Sequence, residues 1–188
     1  MQYCRNQGFS LVEALISMLV LALGMLGGTA MQLAALRTRH QSALLSNALQ
    51  LAAAMADKMR ANAAEMTLDD ADNPYLNQRY DAAADAAPTA PARLCFAAQP
   101  CDSAQLASAD LYELKQHIRK LLPDGRLLIC RDAAAGGASL SWGCDGAAKG
   151  PIVIKLGWGG RNPDGTPLRR AARADAPGVA LALTAAVR

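Results

Sequence analysis

Residues 8–28 read GFSLVEALISMLVLALGMLGG, and the single acid in this run, Glu13, decides how the chain is to be understood. From Phe9 to Leu36 no other side chain ionises. As a helix these residues extend roughly 42 Å, more than the ~30 Å of a bilayer's hydrocarbon core. A membrane span follows from length and composition, but the acid does not. A charge at mid-bilayer costs about 2.5–3.5 kcal/mol.

Three readings compete. A cleaved export signal would use Arg5 as its basic start and Gly28-Thr29-Ala30 as its cleavage site, but an acid should not open its apolar region. A plain anchor explains the length and leaves Glu13 to snorkel at the edge. The third reading cuts the chain between Gly8 and Phe9. A positive α-amino group then lies four residues before Glu13, and in a bundle the acid of one helix meets the amine of the next. At ~4 Å and an effective dielectric near 20 that attraction is about 4 kcal/mol, enough to offset the insertion cost and to fix axial register.

The remaining composition sets bounds. Apolar residues make up 52% of 188, much of it alanine, and aromatics only 4%, so the core must come mainly from Leu, Ile, Val and Met. A net charge of +3 without a Lys/Arg run argues against nucleic acid as the default partner. Cys4 precedes the apolar run, which leaves four cysteines, Cys95, Cys101, Cys130 and Cys144. An even set reads as two disulfides in an oxidising compartment, and the C-x5-C and C-x13-C spacings do not suit zinc.

After Arg37, the residues Leu33, Leu36, His40, Leu44, Ala48, Leu51, Met55 and Met59 form a helical stripe. One helix is expected from about Ser10 to about Glu65, with His40 structural. Residues 67–93 read as an extended, proline-dotted connection, and the head proper as starting at Cys95. Ser108–Leu122 is expected to be a helix capped by Ser108 and stopped by Pro123-Asp124-Gly125. Strands are expected at Arg126–Arg131, Ser139–Cys144, Pro151–Trp158 and Val179–Val187. A hairpin folded at Gly136-Gly137 would bring Cys130 and Cys144 nearly opposite. That favours Cys130–Cys144 with Cys95–Cys101, although three pairings are possible. The basic loop Arg161–Arg173 reads as a solvated turn-rich connection.

The leader MQYCRNQG, followed by Phe9-Ser10-Leu11-Val12-Glu13 and an apolar helix, resembles the class III signal of type IV pilins and type II secretion pseudopilins. The resemblance implies an α+β fold, a long N-terminal helix packed on a small antiparallel sheet. It implies cleavage at Gly8/Phe9 by a prepilin peptidase, methylation of the Phe9 amine, and subunit docking through Glu13. The domain expectation is a leader at 1–8, a transmembrane or filament-core half-helix at 9–36, an amphipathic half at 37–66 and a head at 67–188. Many major pilins carry a proline where this chain has Ala30; here Gly24, Gly27 and Gly28 interrupt the run instead.

The cysteine-bearing half, with Asp110-Leu111-Tyr112-Glu113-Leu114-Lys115 and Cys144-Asp145-Gly146, resembles minor pilins that modify type IV pili. The resemblance implies a low-abundance subunit near the tip of a pilus used for twitching motility and adhesion. Its partners would be other minor pilins, the major pilin, the prepilin peptidase, the inner-membrane assembly platform and a tip adhesin. It would sit in the inner membrane as a single-pass protein with a periplasmic head, then pass into the pilus. Other expectations are a minor pseudopilin of a type II secretion system, or a membrane-anchored DNA- or surface-binding module resting on the Arg161–Arg173 loop. No triad, metal cluster or phosphate loop is legible; Gly157-Trp158-Gly159-Gly160-Arg161 lacks the lysine-serine ending. The expectation is a non-enzyme without cofactor.

Overall fold

The computed structural model describes residues 10–95, 100–137, 140–146, 150–160 and 176–183. The chain divides into two compact units, Met1–Gln41 and Ser42–Arg188. Helix α1, Leu11–Ala61, supplies the first unit and the opening element of the second. A short helix α2, Ala63–Met66, strand β1, Gln78–Asp81, helix α3, Ser103–Leu121, and strands β2, Arg126–Arg131, β3, Ile152–Gly157, and β4, Val179–Leu183, complete the second. The architecture is α+β, with a long N-terminal helix and a four-stranded antiparallel sheet in the order β1-β2-β3-β4.

The α1 stripe starts to bury at Leu44, not at Leu33. Leu44, Ala48, Leu51, Ala52, Met55, Ala56 and Met59 recur at three- and four-residue steps and enter the core. Leu33, Leu36 and His40 remain exposed. The helix also ends at Ala61, short of Glu65. Asn62 leaves helical geometry (φ −94°, ψ 61°) because its amide is engaged elsewhere, donating to the Tyr75 hydroxyl at 3.0 Å and to the Ser103 carbonyl at 2.8 Å.

Helix α3 begins five residues earlier than its expected cap. Asp102 is the cap, its carboxylate accepting from the Gln105 amide at 2.7 Å. Ser108 instead bonds back to the Ala104 carbonyl inside the helix. Leu111, Leu114 and Ile118 face the core. At the other end Gly125 sits where a Cβ would lie 2.6 Å from Ile118 Cγ2 and 3.0 Å from the Leu122 carbonyl oxygen, so the turn into β2 closes only on glycine.

Strand β1 lies in the segment expected to be an extended connection. A turn at Asn73, whose side chain accepts from the Tyr75 amide at 3.0 Å, sets Tyr75 and Leu76 into the core and aims Gln78–Asp81 along β2. The head unit therefore begins well before Cys95.

Residues 140–144 are irregular, where a strand was expected. They belong to a loop that crosses one face of the sheet. Alternation explains why that loop is needed. Ile152, Ile154 and Leu156 of β3 pack with the helices, while Val153 and Lys155 point to the opposite face, and both sets are buried. Lys155 is 1% exposed and its Nζ meets Asp132 Oδ2 at 2.5 Å, the Ser141 carbonyl at 2.9 Å and the Gly143 carbonyl. Three acceptors make this buried ammonium tolerable. The bond from Lys155 holds the Asp132 carboxyl below the ordinary aspartate value against burial, which works the other way, and the Ala134 amide adds a second donor at 3.0 Å. Trp142 lies over Gly157, where a Cβ would come within 2.7 Å of its ring, and Arg126 stacks on the same ring at 4.3 Å.

Truncation to Lys155→Ala leaves Asp132 buried without its cation and is expected to destabilise the head by about 3–5 kcal/mol, whereas Lys155→Met with Asp132→Leu recovers most of the loss. Urea unfolding of the detergent-solubilised chain measures both. Because the Asp132 pKa is depressed, its contribution is complete above the unfolded value near 4 and fades as pH falls toward the folded value. Acid should therefore weaken the wild type more steeply than the double variant.

Candidate assembly segment

The first unit is the exposed part of α1. Every described residue from Ser10 to Gln41 except Ala14 is exposed, including Leu11, Val12, Leu15, Ile16, Met18, Leu19 and Leu21. It is the one described helix long and apolar enough to cross a membrane, with a mean hydropathy of 2.1. Its hydroxyls are satisfied within the helix. Ser17 donates to the Glu13 carbonyl at 2.7 Å, Thr29 to Leu26 at 2.9 Å and Thr38 to Ala34 at 3.1 Å. These three hydroxyls need no water as an acceptor, which suits an apolar surrounding.

Glu13 is exposed in the first turn of α1. A carboxylate there opposes the positive end of the helix dipole, a favourable placement of about 0.3–1 kcal/mol at an exposed site. That is a second physical reason for an acid near this end, one that needs no neighbour. Gly8 and Phe9, the expected cleavage and methylation positions, lie outside the described residues. Gly24, Gly27 and Gly28 have nothing within 4 Å of a Cβ position, so within one chain no close approach requires them.

In the second unit the structure joins Cys95 to Cys101 and Cys130 to Cys144. The second bridge ties β2 to the loop over Lys155, although Cys144 is not on a strand. The Cα partner of Cys130 across the sheet is Val153. His117 lines a shallow groove of about 320 Å³ on α3 with Leu94, Tyr112, Glu113, Gln116 and Lys120. Of the Arg161–Arg173 loop, all positions lie outside the described residues. Among the described residues no group of three or more His, Cys, Asp or Glu side chains is placed to hold a metal ion.

Sequence reasoning passed over a polar cluster that fixes the head half of α1 to α3. Tyr75, fully buried, donates to Asp110 Oδ2 at 3.1 Å and accepts from Asn62. Lys58 reaches Asp110 at 3.2 Å and Glu113 at 2.5 Å. Burial alone would lower the Lys58 ammonium, but its bonds to Glu113 and Asp110 outweigh it and raise it. The bond from Lys58 in turn lowers Glu113. Burial, aided by the Asp110 charge, raises the Tyr75 phenol despite the bond from Asn62. Ser103 adds a bond to Glu65 at 2.6 Å. The available signal was a polar residue on each apolar stripe, Asn62 just past the end of one and Asp110 beside Leu111 on the other.

Tyr75→Phe removes the hydroxyl that joins Asn62 to Asp110 and is expected to cost about 1–3 kcal/mol. Chemical denaturation should show a lower midpoint with an unchanged slope.

The family profile of the prokaryotic N-terminal methylation motif matches residues 3–29. No curated protein and no solved structure matches the chain. The motif takes in most of the expected leader, the expected cleavage point, Glu13 and much of the exposed apolar helix, so the chain carries a prokaryotic N-terminal methylation motif at the start of a helix long and apolar enough to cross a membrane.

Proposed function

We propose that the protein is a minor pilin, of the kind exemplified by PilV, that supports assembly of a type IV pilus as a low-abundance subunit near its tip. The observation that carries the reading is the N-terminal motif on an exposed apolar stretch of helix whose single ionisable side chain, up to Leu36, is Glu13. A surface of this kind is covered either by lipid or by other helices. The disulfide-bridged α+β head supports an oxidising location outside the cytoplasm.

In this reading residues 1–8 are the leader, 9–36 the half-helix that leaves the bilayer for the filament core, and the rest of the chain the periplasmic and then extracellular part. A prepilin peptidase cuts between Gly8 and Phe9, and the Phe9 amine is methylated without losing its charge. The Glu13 carboxylate of one protomer then pairs with the new amine of its neighbour. Water is scarce there, so the attraction is stronger than at a surface and sensitive to axial offset. Apolar contact gives cohesion, and the charge pair sets register. The partners are other minor pilins, the major pilin, the assembly platform and a tip adhesin.

Co-expression with a prepilin peptidase should give a product lacking the first eight residues, with methylated Phe9 at its amino terminus by mass spectrometry. A product beginning at Met31 identifies an export signal and overturns the reading. Glu13→Ala is expected to insert and be cleaved normally yet be absent from sheared pili on immunoblot. Ordinary incorporation of the altered subunit contradicts the docking role. A deletion strain that loses protein secretion and keeps twitching motility assigns the chain to a secretion pseudopilus.

A further inference from the structure

The apolar exposed helix ends abruptly at Arg37-Thr38-Arg39-His40. Arg37 and Arg39 are both exposed and, among the described residues, neither side chain makes a hydrogen bond or ion pair. Thr38 between them is satisfied by the Ala34 carbonyl. At roughly 100° per residue, Arg37 and Arg39 leave α1 about 200° apart, and His40 falls about 300° from Arg37. One protein surface against one side of the helix cannot take both guanidinium groups. A plane of acceptors that surrounds the helix can.

We infer that Arg37 and Arg39 form a collar that binds the phosphates of anionic phospholipids at the head-side face of the membrane and thereby sets the depth of the unassembled subunit. The inference rests on the membrane-anchor reading above and adds the lipid class and the residues. Two observations favour lipid as the occupant. The collar directly continues the apolar span, so any membrane that covers Leu33 and Leu36 brings its headgroups to Arg37. The guanidinium fork also matches phosphate oxygens in a bidentate way, and in an anionic lipid such as phosphatidylglycerol no ammonium of the headgroup's own competes for them. These arginines stand on the translocated side, where a positive-inside bias does not call for them, which sets them apart from ordinary topology signals.

The spacing has a consequence for Glu13. It lies 24 residues before Arg37, about 36 Å along the helix, against a hydrocarbon core of about 30 Å. With the arginines held among headgroups, Glu13 reaches the opposite boundary and stays hydrated before assembly. The collar and the acid thus bracket the hydrocarbon.

The test uses the full chain in mild detergent with equal phosphatidylglycerol and phosphatidylethanolamine added, and counts bound lipids by native mass spectrometry. Wild type should retain phosphatidylglycerol preferentially. Arg37→Gln with Arg39→Gln should lower its occupancy roughly thirty-fold, taking about 1 kcal/mol per arginine. Arg93→Gln with Lys120→Gln, in the head, should leave it unchanged. Equal retention of the two lipids by wild type, or unchanged selectivity in the collar variant, overturns the collar. An alkaline carbonate wash of membranes tests the anchor separately. Wild type and collar variant both stay in the pellet if the anchor reading holds, and release of the wild type overturns that reading and the collar with it.

Discussion

Lys155 puts an ammonium group in the middle of β3, the one strand among the described residues that is buried on both faces. Its neighbours along β3 are Ile154 and Leu156, and nothing in the sheet itself answers its charge. The answer comes from Asp132 and from two carbonyls of the loop at 140–146. That loop must therefore lie across the sheet in one position. The Cys130–Cys144 bridge, the Trp142 ring over Gly157 and the Asp145 carboxylate on the Ala133 amide all act on the same short stretch. A head with few aromatics and much alanine has little apolar area to spare, and a buried charge that accepts only one arrangement supplies uniqueness in its place.

The two helices meet the sheet on the other face, and here the division of labour is different. Leu44 to Met59 and Leu111 to Ile118 supply area, with alanines where backbones come close. The Asn62, Tyr75, Asp110 and Lys58 cluster supplies the angle and offset at which α1 and α3 meet.

Much of this was legible from residues alone where periodicity is strong. Strand β2 was expected at Arg126–Arg131 and lies there, β3 and β4 lie within their expected spans, and the α1 stripe from Leu44 onward is the buried one. The failures share a cause. Gln78–Asp81 is four residues long with three polar side chains, so only pairing with β2 makes it a strand. Residues 140–144 alternate like a strand, yet Lys155 claims their carbonyls as acceptors. Ser108 looked like a cap because an apolar pattern begins after it, but Asp102 had the better side chain and an earlier start. Local pattern cannot see a partner more than a few residues away. For the segment around Glu13 the motif was plain in sequence, while the exposure of the helix and the unpaired arginines at its end needed coordinates.

The internal satisfaction of Ser17, Thr29 and Thr38 has a wider meaning. A rod whose flanks between Glu13 and Leu36 are, apart from the Gln32 amide, almost wholly apolar has little directional chemistry with which to recognise a companion. Such flanks are interchangeable among relatives and forgiving of drift in their own sequence. Discrimination between companions must then be exercised at the two ends of the rod and by the folded part beyond, and evolution is free to rewrite the middle so long as it stays oily.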